Sequence, residues 1–90
     1  MPMFAMESYT PLALAANATQ SVSTASCVIG GFTCVVSGTL TLRRVDSGGD
    51  VVVDALPVTA GSYHALPYAM PTGAYITLAG GAKGTLAWSS

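Results

Sequence analysis

The strongest constraint on the fold is how often glycine, proline, serine and threonine interrupt the apolar runs of the chain. The pattern is clearest between Val51 and Trp88. Apolar runs there are interrupted every few residues, so each is too short for a stable helix. Residues 74–78 alternate apolar and polar side chains, which predicts a half-buried strand. Pro71-Thr72-Gly73 in front of it predicts a turn, because proline fixes φ and glycine accepts a positive φ.

A second pattern of the same kind lies between Cys27 and Cys34. Gly30-Gly31 separates two β-rich runs and predicts a two-residue hairpin turn with positive φ. In that register Cys27 faces Cys34 within disulfide reach, although nearly parallel Cβ vectors would strain the bridge. We expect free buried thiols, since cysteine is a common small core residue, and the disulfide is the alternative. A metal site is a third, for which the sequence offers a single histidine.

The middle of the chain predicts another hairpin. Leu40 and Leu42 fall on one side of an extended segment, residues 46–50 form a glycine-containing turn, and residues 51–56 return, with Pro57 ending the strand or marking a sheet edge. No stretch is long enough for a crossover helix, so hairpins are expected to make the connections.

The fold expected from these patterns is all-β: a single small antiparallel β-sandwich or barrel of roughly six to eight short strands, built from hairpins. Ninety residues make one domain. We expect residues 1–20 to be an N-terminal arm or first strand and residues 21–90 to form the β-sandwich or barrel domain.

The scarcity of charge is the feature that bears most on function. Charged residues make up 8% of the chain and hydrophobic residues 51%, whereas a soluble domain usually has about 25% charged residues. Five of the seven charges fall between residues 43 and 54. Such a surface favours association, so we expect other subunits to cover much of it. A monomer coated with serine and threonine is the alternative.

The composition also argues against several classes of function. A net charge of −1 gives no basic field for nucleic acid. No apolar run approaches the roughly 20 residues that span a bilayer, so no membrane partner is expected. With one histidine and no phosphate-binding glycine motif, we predict no catalytic residue, no cofactor and no metal ligand, and hence no enzyme.

Two segments are candidates for binding. The first ten residues have no period and are apolar, so an arm could bury its side chains on a neighbouring molecule. The segment 63–68 combines aromatic side chains and a histidine next to prolines, and aromatic residues often anchor interfaces. It could equally belong to the core. The candidate interface residues are Phe4, Tyr9, Leu12, Tyr63, His64 and Tyr68.

Three stretches of the second half, LPVTAGSYHALPY (56–68), PTGAYITL (71–78) and GGAKGTL (80–86), resemble small virion proteins of tailed bacteriophages. The early stretch LALAANATQ (12–20) has the same character. The resemblance covers about half of the chain and consists of turns and alternation. It implies a β-sandwich or barrel that decorates a capsid or belongs to the neck or tail and acts by binding. It carries over no functional residue.

The expectation that follows is a structural virion protein, foremost a capsid decoration or cement protein that stabilises the particle as a homo-oligomer. Its partners would be copies of itself and the major capsid protein or other virion proteins. It would be located in the virion and assembled in the bacterial cytoplasm, where disulfides are rare, so Cys27 and Cys34 are expected to be reduced. The alternative is a receptor- or carbohydrate-binding domain of a fibre or adhesin.

Overall fold

The chain folds into two layers of β-sheet. A computed structural model describes residues 9–46 and 48–89, and within those ranges it contains strands and no helix. The all-β, sandwich-like fold predicted from the sequence is confirmed. The strands are β1 (Thr10–Leu14), β2 (Thr19–Ser23), β3 (Cys27–Val36), β4 (Gly38–Arg44), β5 (Val51–Val58), β6 (Tyr63–Met70), β7 (Ala74–Ala79) and β8 (Lys83–Ser89).

The strand order is that of a jelly roll. One sheet has the order β1-β8-β3-β6, the other β2-β7-β4-β5, and every pairing is antiparallel. The nested pairs β1–β8, β2–β7, β3–β6 and β4–β5 are those of one long hairpin wound around a barrel. Only β4 and β5 are both consecutive and paired, so the expectation that hairpins make the connections holds there alone. Every other connection in the described chain passes from one sheet to the other.

The core lies between the two sheets and is built by alternation. In β7 the side chains of Ala74, Ile76 and Leu78 are buried, and in β4 those of Leu40 and Leu42, as the sequence predicts. Each fully buried aliphatic side chain contributes about 1.5–3 kcal/mol. Among the described residues no polar or charged side chain is buried, so desolvation costs are small.

The prediction of a hairpin at Gly30-Gly31 is wrong. Residues 27–36 form one continuous strand, β3, which pairs with β8 on one side and β6 on the other. Neither glycine has the positive φ that the predicted turn requires. Both pairings shift register between Ile29 and Gly31 instead, so the glycine pair marks a β-bulge.

The bulge changes the phase of β3. Before it, the odd-numbered Cys27 and Ile29 are buried; after it, the even-numbered Phe32 and Cys34 are buried. The extra residue keeps the whole strand facing the core. The two cysteines are seven positions apart in one strand, roughly 23 Å at the usual rise per residue. They cannot face each other as a hairpin pair, and both are free, buried thiols.

The other turns use glycine as expected. Gly73, at the end of the predicted turn, has φ +109°, and Gly80 and Gly81 have φ +68° and +89°. The β7–β8 turn is tied to the β1–β2 turn, because Asn17 Oδ1 accepts a hydrogen bond of 2.8 Å from the Gly81 N–H. These contacts close one end of the sandwich.

Residues 10–20 belong to the sandwich. They contribute β1 to one sheet and the start of β2 to the other. Residues 1–8, the first part of the expected N-terminal arm, lie outside the described residues.

The close packing of β8 against β3 makes Gly84 a sensitive position. A Cβ there would meet the Thr33 carbonyl oxygen and would lie 2.7 Å from Phe32 Cζ. We expect Gly84→Ala to lower the free energy of unfolding by about 1–3 kcal/mol, because the buried strands must separate. Urea unfolding followed by Trp88 fluorescence measures this.

The matched control is Gly48→Ala in the β4–β5 turn. A Cβ at Gly48 has Asp46 Oδ1 as its nearest neighbour, at 3.6 Å. Its effect should be below about 0.5 kcal/mol. Equal losses in the two variants would contradict the packing argument.

Candidate functional site

Two of the candidate interface residues meet on the outer surface of the β1-β8-β3-β6 sheet. Tyr9 precedes β1 and Tyr63 begins β6, yet both side chains reach the bulge in β3. A Cβ on Gly30 would lie 2.8 Å from Tyr9 Cζ, and a Cβ on Gly31 would overlap the Tyr63 hydroxyl. The Tyr63 hydroxyl also donates a 3.3 Å hydrogen bond to the Gly30 carbonyl. The glycine pair therefore leaves space for the two rings.

Valines extend this surface along β3. Val28 is 40% exposed, because its side chain points away from the core that holds its neighbours Cys27 and Ile29. Val35, which follows the buried Cys34, is 58% exposed. We call the surface formed by Tyr9, Val28, Val35 and Tyr63 the Tyr9–Tyr63 face. Tyr63 is 59% exposed. A group of exposed apolar side chains of this kind is a feature of binding surfaces.

Among the described residues, the Tyr9–Tyr63 face carries little charge. On β8, between β1 and β3, the outward residues are Thr85 and Ala87, and the charged Lys83 stands at the end of the strand. Most other charges lie on and beside the β4–β5 hairpin of the opposite sheet, in residues 43–54. Covering the face with a partner would therefore desolvate few charges.

The opposite sheet presents hydroxyl groups. Thr19 Oγ1 lies 3.1 Å from the Tyr75 hydroxyl and 3.3 Å from Thr77 Oγ1, so three side chains on β2 and β7 form one hydrogen-bonded group. Their polar atoms face solvent. The outer surface of one sheet thus carries exposed tyrosine and valine side chains, and that of the other carries a hydrogen-bonded group of hydroxyls.

The remaining sequence candidates are not part of the Tyr9–Tyr63 face. Leu12 packs against the core from β1. Tyr68 pairs with the buried Ile29, so its side chain leaves β6 on the core side, where it is 37% exposed at the sheet edge. Phe4 lies outside the described residues.

His64 anchors a turn. It pairs with the buried Phe32, on the side of β6 opposite to Tyr63. The Thr59 N–H donates to His64 Nε2 at 3.1 Å, which places the ring proton on Nδ1. The contact fixes the connection between β5 and β6, and this role was not predicted from the sequence.

The two thiols are structural groups of the core. Burial raises the pKa of the Cys27 thiol above its ordinary value, and a hydrogen bond with Ser23 acts in the opposite direction to a smaller extent. Cys34 Sγ donates to the Val36 carbonyl at 3.1 Å. A protonated, buried thiol is a poor nucleophile, so Cys27 behaves as a small apolar residue.

No match appears when the chain is compared with protein-family models, with curated proteins or with solved structures. Residues 9–46 and 48–89 contain no group of three or more histidine, cysteine or acidic side chains placed to bind a metal. The same residues open no pocket and include no helix able to cross a membrane. The candidate site is the Tyr9–Tyr63 face, on the exposure of its side chains.

We expect Cys27 to make the fold less stable at alkaline pH. Because its pKa is raised in the folded protein, the unfolded chain loses this proton at a lower pH. The stability that the protonated Cys27 thiol contributes is fully present below the pKa of an unfolded thiol. It is lost as the pH rises towards the pKa of the thiol in the folded protein. Urea unfolding near neutral pH and at about pH 10 measures the change.

Cys27→Ala is the control, because every other titrating group is shared by the two proteins. The wild type should lose more stability than Cys27→Ala between the two pH values. An equal loss would show that Cys27 does not contribute.

The two functions of Tyr63, covering glycine and donating a hydrogen bond, can be separated. Tyr63→Phe keeps the ring over Gly31 and removes an exposed bond, so it should cost about 0.5 kcal/mol or less. Tyr63→Ala also uncovers the bulge and should cost about 1–2 kcal/mol. Urea unfolding compares them, and equal costs would show that the ring does not stabilise the bulge.

Proposed function

We propose that this protein is a structural virion protein of a tailed bacteriophage, a capsid decoration or cement protein that binds and stabilises the particle as an oligomer. The Tyr9–Tyr63 face is the observation that carries the proposal. Within the described part of the chain it is an exposed, nearly uncharged surface on one sheet, and it suits association with another protein.

The chemistry of the face favours stable contact. Tyrosine buries a large area and loses little side-chain entropy, and the contacts of Tyr9 and Tyr63 with the glycine bulge already restrict both rings. Covered apolar area contributes about 25 cal/mol per Å², and a specific interface covers roughly 800 Å² on each partner.

The two surfaces of the sandwich suggest an orientation on the particle. The Tyr9–Tyr63 face would lie against the capsid, and the sheet that carries Thr19, Tyr75 and Thr77 would face water. The charged β4–β5 hairpin belongs to this second sheet. Such a division places the well-hydrated groups where they keep their water.

The strand order supports the same function by analogy. Jelly rolls form many viral capsid domains, and lectin domains share the architecture. Because several functions share this fold, the strand order is compatible with a virion protein but does not single it out. The specific argument for binding to a capsid comes from the chemistry of the Tyr9–Tyr63 face.

A receptor- or carbohydrate-binding fibre or adhesin domain is the second candidate. Tyr63 is 59% exposed, and an exposed aromatic ring can stack on a sugar. This role predicts saturable binding to soluble glycans, whereas a decoration protein should bind assembled capsids.

The direct test is mass spectrometry of particles purified from the bacterium whose genome or prophage carries the gene. A decoration protein should be present in amounts comparable to the major capsid protein. Absence from the particles would overturn the proposal, and a few copies per particle would indicate a neck or tail position.

We expect Val35→Asp to weaken capsid binding. Val35 is 58% exposed, so the fold should persist, while burial of a carboxylate in the interface should weaken binding at least about tenfold. Co-sedimentation of the purified protein with capsids that lack it measures the effect.

The matched control is Ala79→Asp, an exposed position at the end of β7 on the opposite sheet. It adds the same charge away from the Tyr9–Tyr63 face and should bind like the wild type. If Ala79→Asp is as defective as Val35→Asp, the orientation is wrong.

Deleting residues 1–8 tests the arm. Because Tyr9 covers Gly30 and β1 begins at Thr10, the deletion should stop before Tyr9. Circular dichroism should show an intact sandwich, and capsid binding should fall if residues 1–8, including Phe4, contact a neighbour. Full occupancy on capsids would show that the arm contributes no binding.

A further inference from the structure

The four edge strands of the sandwich differ in how they are protected from pairing with another chain. β1 contains Pro11, β5 contains Pro57 and β6 contains Pro67. Proline has no N–H and interrupts a ladder, which is one way proteins block open sheet edges. β2 is the edge strand without proline, and residues 15–26 around it contain neither proline nor charge.

The hydrogen-bond phase of β2 shows which backbone groups are on its open side. The Leu78 N–H donates to the Ala18 carbonyl at 2.7 Å, and Gln20 pairs with Ile76 in the same register. Hydrogen-bonded and non-hydrogen-bonded pairs alternate in an antiparallel ladder. The N–H and C=O groups of Thr19 and Ser21 therefore point away from β7, towards the open edge.

We propose that β2 pairs with β2 of a second copy of this chain, antiparallel, about a two-fold axis through Gln20. Thr19 then faces Ser21 of the second copy, and Ser21 faces its Thr19, so roughly four backbone hydrogen bonds form. The two β2-β7-β4-β5 sheets become one eight-stranded sheet. The register ends before Ser23, where a bulge interrupts the regular part of β2.

The chemistry of the edge selects a second copy as its occupant. A two-fold axis places each residue near its own equivalent, so a charged edge would oppose like charges. The open side of β2 offers hydroxyl groups from Thr19 and Ser21, which can bond across strands. The amide of Gln20 contains both a donor and an acceptor, so it can pair with its copy. An uncharged edge offers nothing that would select a charged partner.

This pairing deepens the proposed function, because it supplies the oligomer and leaves the Tyr9–Tyr63 face free for a capsid. It lies on the opposite sheet from that face. The two surfaces can therefore be tested separately.

Sedimentation equilibrium across a concentration series, in the absence of capsids, tests the pairing. The wild type should show a monomer–dimer equilibrium. Ser21→Pro should shift it at least about tenfold towards monomer, because proline removes the outward N–H while β7 keeps its own bonds. Ser21→Ala is the matched control at the same position: it keeps the backbone N–H and loses only the hydroxyl, so it should weaken dimerisation much less than Ser21→Pro.

A cross-link provides a second test that does not depend on proline. In this register the two Gln20 Cα atoms form a non-hydrogen-bonded pair about 4.5 Å apart, at the lower end of disulfide distances. Gln20→Cys should give a covalent dimer on mild oxidation. Ala60→Cys, exposed in the turn before β6, should not.

The outcomes decide the proposal. A wild type that is monomeric at every concentration, a Ser21→Pro variant that dimerises normally, or equal cross-linking at positions 20 and 60 would overturn it. A β2 dimer that never binds capsids would overturn the decoration function alone. A chain that binds capsids as a monomer would overturn the pairing alone.

Discussion

The bulge at Gly30-Gly31 is the constraint on which the β1-β8-β3-β6 sheet depends. β3 lies between β8 and β6, so its inward face must stay continuous over ten residues. A regular strand with this sequence would turn either Cys27 and Ile29 or Phe32 and Cys34 towards solvent. The extra residue keeps both pairs in the core. It also opens the space on the outer surface that Tyr9 and Tyr63 cover.

The sequence predicted correctly those elements that depend on interactions between neighbouring residues. The alternation in β7, the positive φ at Gly73 and the turn between β4 and β5 each follow from a few neighbouring residues. The Gly30-Gly31 pair is compatible with a hairpin turn or a bulge. The presence of two flanking strands decides between them, and those strands come from distant parts of the chain. The order of the strands in the two sheets could not be predicted either. Turns that stay within a sheet and turns that pass between sheets use the same residue types, so a turn does not show which strands it joins.

The candidate site also combines features that neighbouring residues determine with features that depend on distant parts of the chain. Composition indicated exposed aromatic side chains and named Tyr9 and Tyr63, which the fold brings together. It also grouped His64 with Tyr63 because they are adjacent in sequence. Adjacent residues of a strand point to opposite sides, so His64 is directed away from the face and bonds to the Thr59 N–H. Whether the face binds a capsid depends on a partner that the sequence of this chain does not contain.

The nested strand pairs also determine when the fold can form during synthesis. β4 and β5 are neighbours in sequence and can pair early, whereas β1 pairs, among the described strands, with β8 alone. β8 also lies between β1 and β3, so the β1-β8-β3-β6 sheet has a gap until residues 83–89 leave the ribosome. Until then β1 lacks its partner β8. The chain must therefore complete this sheet after residues 83–89 have been translated, from the central hairpin outwards to β1 and β8.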